Sequence, residues 1–173
     1  MASHLGQSIA NHVTLELVGG INGGFGPDKL GWVRILPSGG IQAGPGGGNF
    51  VVPRNQLLVI TDADWQYDDH STSNAGAQVT LRLFVVGPGD EEDGRRLMES
   101  TVVLSDAGQS GTIASWTAGG VFGPGTRIGV DTSPLTSSNR LQHAMLHGYL
   151  IAKPRLFPFG ASRKAGRRRR GSR

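Results

Sequence analysis

The 173-residue chain contains no cysteine. Disulfide bonds, thiolate zinc sites, iron–sulfur clusters and thiol nucleophiles are therefore excluded as sources of stability or chemistry. The first ten residues lack a basic segment followed by a continuous apolar run, and no later stretch approaches the roughly 20 apolar residues of a membrane-spanning helix. We expect a protein that is made in soluble form without a recognisable signal peptide.

The chain also lacks a convincing amphipathic helix, because its apolar residues repeat with a period of two rather than 3.6. The clearest case is segment 77–86, where every second residue from Ala77 to Val85 is apolar. Segment 135–147 is the one competitor, since a serine and asparagine cluster at its start resembles a helix cap. The apolar stripe at even positions from Ala144 to Ala152 favours a strand there instead.

Glycine and proline separate many short strands, as at Gly119-Gly120, and 88–96 is predicted to be a hairpin loop. Eight or nine strands are predicted, at 12–17, 31–36, 50–52, 57–67, 77–86, 97–104, 111–117, 126–131 and 141–153. This pattern predicts an all-β fold, an antiparallel two-sheet β-sandwich. The uneven loop lengths favour a jelly-roll-like strand order over an immunoglobulin-like one.

Positive charge is concentrated at the C-terminus. Residues 1–160 contain ten Lys or Arg against thirteen Asp or Glu, whereas the remaining residues contain seven basic side chains and no acidic one. The seven are Arg163, Lys164, Arg167, Arg168, Arg169, Arg170 and Arg173. The predicted organisation is an N-terminal arm at 1–11, a β-sandwich domain at 12–153, a linker containing Pro and Phe at 154–160 and a flexible arginine-rich tail at 161–173.

The tail has two interpretations. Arginine forks suit phosphate oxygens, and release of counterions would make binding fall with salt with a slope on the order of −5 to −6 if all seven groups engage. No aromatic residue lies between 161 and 173, so base stacking and sequence readout are not expected. We expect contact with nucleic acid or another polyanion. The alternative is a solvated tail that aids solubility or serves as a targeting segment.

An acidic segment overlaps the end of the predicted strand 57–67 and continues beyond it. Its carboxylates Asp62, Asp64, Asp68 and Asp69 offer the hard oxygen ligands that calcium prefers. The segment lacks the glycine and the closing glutamate of a calcium-binding loop. The competing interpretation is a polar outer strand face that runs into an acidic loop, and no metal site is predicted.

Aromatic residues are scarce, and three tryptophans are candidates for a sugar-stacking platform: Trp32, Trp65 and Trp116. Burial in a sandwich core is the commoner outcome for such residues. His143 and His147 have a spacing that metal sites use on helices. On a strand they lie about 13 Å apart, too far for one ion.

No catalytic set or cofactor motif is recognisable, since the chain lacks a Gly-x-Ser-x-Gly elbow and its glycine-rich loops open no helix. We expect a non-enzymatic structural or assembly protein that forms homo-oligomers and uses its tail on a polyanion, with no cofactor. This plan resembles that of small virus capsid proteins, which usually carry the basic arm at the other end, and it indicates a virion or the cytoplasm. The alternatives are a carbohydrate- or cell-surface-binding module and, third, a metal-dependent enzyme.

Overall fold

A computed structural model describes residues 11–18, 31–45, 48–69, 72–87, 92–133 and 141–153, with only the backbone at 92–96. In these ranges the regular structure is β-strand apart from a 3-10 turn at Thr72–Asn74. The strands are β1 His12–Val18, β2 Gly31–Ile35, β3 Ile41–Gln42, β4 Gln56–Asp68, β5 Gln78–Val86, β6 Glu92–Val103, β7 Gln109–Phe122, β8 Arg127–Ser133 and β9 Leu141–Ala152. No helix in the described ranges has the length and apolar character needed to span a bilayer.

The strands form two antiparallel sheets. One has six strands in the order β3-β2-β1-β9-β4-β7, and the other has three in the order β6-β5-β8. The first and last strands, β1 and β9, are neighbours. The predicted all-β class with antiparallel sheets is therefore confirmed.

A single hydrophobic cluster contains side chains from both sheets. Its largest fully buried members are Trp32 on β2, Trp65 on β4 and Phe122 on β7. The alternation predicted for 77–86 is confirmed, because Val79, Leu81 and Leu83 are buried while their neighbours are less so. Removal of this apolar surface from water is the main force that stabilises the two sheets.

β9 confirms that the segment after residue 140 is a strand rather than a helix. Its even residues from Ala144 to Leu150 face the core. The stripe ends earlier than predicted, since Ala152 is exposed at the end of the strand.

Three boundary predictions were wrong. Segment 50–52 is not a strand, although Phe50 and Val52 are buried. Its backbone instead makes three separate bonds: from the Phe50 amide to the Trp32 carbonyl, from the Val52 amide to the Thr126 carbonyl, and from the Gly125 amide to the Val52 carbonyl. The segment 88–96 is not all loop, because β6 begins at Glu92 and pairs with the end of β5.

The third error concerns Gly119-Gly120, which lie inside β7 rather than between strands. Gly119 has φ of 67°, a left-handed conformation that glycine adopts without a steric penalty. The register of β4 with β7 shifts at this irregularity, between Ile60 and Asp62. A bulge of this kind bends a strand without ending it, so the predicted strand 111–117 is too short.

The short strand β3 was not predicted, because its two residues carry no alternation. The predicted linker at 154–160 and tail at 161–173, together with the first ten residues of the predicted N-terminal arm, lie outside the described residues.

Candidate functional site

A row of polar side chains crosses the outer face of the six-stranded sheet. The strand registers place Thr14 of β1 opposite His147 of β9, His147 opposite Asp62 of β4, and Asp62 opposite Ser115 of β7. Directly opposed residues on neighbouring strands point to the same face. Alternation along each strand buries the apolar neighbours and leaves this row on the outside.

Asp62 is the centre of the row. The Ser115 hydroxyl donates to its Oδ1 at 2.6 Å, and the Thr61 hydroxyl donates to its Oδ2 at 2.7 Å. The hydrogen bond from Ser115, then that from Thr61, lowers the pKa of Asp62, with burial opposing them and His147 adding a smaller lowering. Asp62 is thus a fixed anion with both oxygens engaged.

The hydrogen-bond partners of Ser115 and His147 decide whether this row could contain a nucleophilic serine. His147 lies 3.3 Å from the Thr14 hydroxyl through its Nδ1, while the Ser115 hydroxyl donates to a carboxylate. A nucleophilic serine needs an imidazole in hydrogen-bond contact to take its proton. The arrangement Ser115–Asp62–His147 does not supply that contact, and the row acts as cross-strand polar pairing that fixes strand register.

The other candidate calcium ligands have different surroundings. Asp64 lies opposite Met145 and Ile113 on the outer face, and Asp68 accepts a bond from the Gln109 amide at 2.9 Å. Asp69 turns inward, is 3% exposed and accepts a bond from the Asn74 amide. Among the described residues no three His, Asp or Glu side chains are grouped as metal ligands would be.

His143 and His147 lie on the same outer face of β9, opposite Gln66 and Asp62 respectively. Each is partly exposed. They are thus four residues apart on an extended strand, as predicted, and each faces a polar residue of β4.

The tryptophans do not form an exposed platform. Trp32 and Trp65 are 1% and 0% exposed within the core, and Trp116 is partly buried against it. The Trp65 indole donates to the Ser100 hydroxyl in the interior. The described tryptophan rings therefore serve packing rather than offer a flat surface to a sugar.

A shallow open groove of about 670 Å³ lies at the end of the outer face where β4, β7 and β9 meet. Five of its lining residues carry amide or carboxylate side chains: Asp64, Gln66, Asp68, Gln109 and Gln142. Sequence reasoning singled out Asp64 and Asp68 but missed the glutamines, because Gln109 and Gln142 come from separate strands and only the register brings them together. No local signal in the sequence marks them.

The described edges of both sheets carry exposed apolar side chains. Strands β3 and β7 bound the larger sheet, and β6 and β8 bound the smaller one. The large apolar residues that are exposed in the described ranges are Ile41 on β3, Leu97 and Val103 on β6, and Ile113 and Val121 on β7. Every one of them therefore belongs to an edge strand.

The seven basic residues of the predicted tail, from Arg163 to Arg173, lie outside the described residues. No protein-family model and no curated protein matches the chain.

Proposed function

We propose that the chain is a non-enzymatic structural or assembly protein. Its two sheets form a β-sandwich of jelly-roll-like order that associates with further copies through sheet edges. The arginine-rich tail contacts nucleic acid or another polyanion. The resulting plan is capsid-like, with shape provided by the body and charge provided by the tail.

The path of the chain supports the jelly-roll-like order. From β4 onward the chain crosses between the sheets, with β4, β7 and β9 in the larger sheet and β5, β6 and β8 in the smaller one. The terminal strands β1 and β9 lie side by side. A long return that places a late strand beside the first is the mark of Greek-key connections, of which a jelly roll contains two.

The observation that carries the assembly proposal is the location of the exposed apolar side chains. Ile113 is 71% exposed and Ile41 is 65% exposed, and both belong to edge strands, as do the other three. An edge strand presents unpaired backbone N–H and C=O groups, so apolar side chains beside them favour pairing with another chain. Burial against a second copy removes this surface from water.

The charge distribution supports separate roles for the body and the basic tail. Residues 1–160 sum to −3, from ten basic and thirteen acidic side chains, and the seven basic residues after them sum to +7. A body of low net charge can approach its own copies with little repulsion. A separate cationic segment can meanwhile neutralise phosphates.

The test measures the mass of the full chain under native conditions, in variants that carry lysine substitutions on the edge strands. Three lysines at Val103, Ile113 and Val121 should dissociate the assembly to the 18.2 kDa monomer. A control of equal charge places lysines at Gln66, Gln78 and Gln142, which are exposed on strands with neighbours on both sides. The control should retain the oligomer, and equal dissociation of both variants would contradict the proposal.

A second candidate, a carbohydrate- or cell-surface-binding module, is favoured by the groove. Its three glutamine amides and two carboxylates can donate to and accept from sugar hydroxyls. Binding of an uncharged glycan that is lost in Gln66→Ala and Gln142→Ala, but kept without the basic tail residues, would support it. Salt-sensitive binding that depends on the tail would favour the first proposal.

A further inference from the structure

We infer that β7 is the strand through which two copies join, by antiparallel pairing with β7 of a second copy about a two-fold axis perpendicular to the sheet. The inference rests on the proposed self-association and names its surface. Pairing of this kind would join two six-stranded sheets into one continuous sheet. A two-fold interface uses the same patch on both subunits.

The four edge strands differ in how well they can accept a partner. β3 is two residues long and offers little backbone. The sequence of β6 contains five charged residues in twelve, and that of β8 contains Arg127 and Asp131 in seven. β7 has fourteen residues, and neither a charged residue nor a proline occurs among them.

Charged residues and proline are the devices with which proteins protect a sheet edge from other chains. A charged edge that meets its own copy must desolvate those groups. Because β7 has none, two β7 edges can meet without desolvating a charged side chain of either strand. This difference selects β7 among the described edges, and an identical charge-free edge on a second copy is the partner that matches it.

The two halves of β7 have different surroundings. At Gly120 the side chain of Met98, from β6 of the other sheet, occupies the position that a Cβ would fill. The half from Gln109 to Ser115 pairs with β4 and carries the exposed Ile113 on its outer face. A partner strand beside this half would bring its own side chains within about 5 Å of Ile113. The axis is therefore expected in the first half of the strand.

The cysteine-free chain allows a direct test with single cysteines in the full protein. A two-fold axis perpendicular to the sheet makes one residue of β7 face its own copy, at a Cα separation of about 4.5–5.5 Å, within disulfide range. Cysteine is placed singly at each residue from Gln109 to Ser115, followed by mild oxidation. Val103→Cys on β6 and Ile41→Cys on β3 are the matched edge controls.

We expect disulfide-linked dimer at one or two of the β7 positions and at neither control. A second measurement uses Ile113→Lys, which alters a mostly exposed side chain and should leave the far-UV circular dichroism spectrum of the folded chain unchanged. It should raise the dimer dissociation constant by about 100-fold, because both copies carry the change, while Val103→Lys leaves it unaltered.

The outcomes separate the inference from the proposed function. Linkage at Val103 or Ile41 without linkage on β7 would overturn the inference and leave self-association standing. An oligomer that forms without a disulfide link on β7 and persists in Ile113→Lys would also overturn the inference and leave self-association standing. A monomer at every concentration, with no linkage at any position, would overturn both.

Discussion

Trp65 on β4 donates its indole N–H to the Ser100 hydroxyl on β6, at 2.9 Å, in the interior between the two sheets. Both residues are buried. The bond joins a strand of the larger sheet to a strand of the smaller one. It thus satisfies a buried polar group and links the two sheets through a side-chain hydrogen bond.

Ser100→Ala should lower the free energy of unfolding by about 1–3 kcal/mol, because it leaves the Trp65 indole N–H buried without a partner. Chemical denaturation followed by tryptophan fluorescence measures this cost. In a Trp65→Phe background the same substitution should cost less, since no indole donor remains. An equal cost in both backgrounds would show that the bond contributes nothing.

Gly148→Ala should destabilise the protein by about 3 kcal/mol, because a Cβ on Gly148 would overlap the Val59 carbonyl oxygen on the paired strand. The matched control is Gly40→Ala, whose Cβ would meet nothing nearer than the Ser38 hydroxyl at 3.5 Å. The control should change stability by less than about 0.5 kcal/mol. Thermal unfolding of both variants is the measurement, and similar melting temperatures would contradict the close approach of β9 and β4.

Asp62→Asn should change how stability depends on acid. The pKa of Asp62 is lowered in the folded protein by bonds from Ser115 and Thr61. Its stabilisation is therefore present above the unfolded pKa of about 4 and is lost as pH falls through the lower folded pKa. Denaturation midpoints between about pH 2 and 5 should fall less steeply in the variant.

At neutral pH this substitution should cost at most about 1 kcal/mol, since the carboxylate is partly exposed and screened. Asp64→Asn makes the same change in charge on the same face of β4 and is the control. The acid dependence should change more in Asp62→Asn than in this control, because Asp62 accepts the bonds from Ser115 and Thr61. Equal acid dependence in the two variants would show that the Ser115 bond does not hold the anion.

Replacement of Arg167, Arg168, Arg169 and Arg170 by glutamine should reduce the salt dependence of nucleic-acid binding. Each lost phosphate contact lowers the slope of log affinity against log salt by about 0.7–0.9. Four lost contacts should thus lower it by about 3–4. Fluorescence anisotropy with single-stranded and duplex probes, from low to high salt, is the measurement.

The matched control places glutamine at Arg34, Arg54, Arg82 and Arg127, four arginines of the body. It removes the same charge and should leave the slope largely unchanged. A slope that falls equally in both variants would assign binding to net charge rather than to the tail.

The sequence predicted the fold class because a period of two is visible residue by residue, as it is from Val79 to Leu83 on β5. Features that depend on tertiary neighbours were not predictable. β7 continues through Gly119 despite its left-handed conformation, and only the packed structure distinguishes this from a turn. The apolar character of Phe50 predicted its burial. Nothing in the sequence predicted the backbone hydrogen bond from its amide to the Trp32 carbonyl.

The features of the candidate site also divide into those that the sequence predicted and those that depend on tertiary neighbours. The outward position of Asp62 and Asp64 followed from alternation along β4. The pairing of Asp62 with Ser115, 53 residues later in the chain, depends on strand order, which no local pattern encodes. Asp69 was grouped with the other carboxylates by proximity in sequence, yet it turns inward beside Asn74. The groove was not predicted, because only the strand register brings its glutamines together.

The most direct measurement is sedimentation velocity of the unmodified full chain over a range of protein concentrations, in salt high enough to suppress contacts made by the tail. We expect a defined oligomer, a multiple of the 18.2 kDa monomer, that persists in high salt because apolar edges hold it together. A monomer at every concentration would contradict the claim that this protein works by assembly.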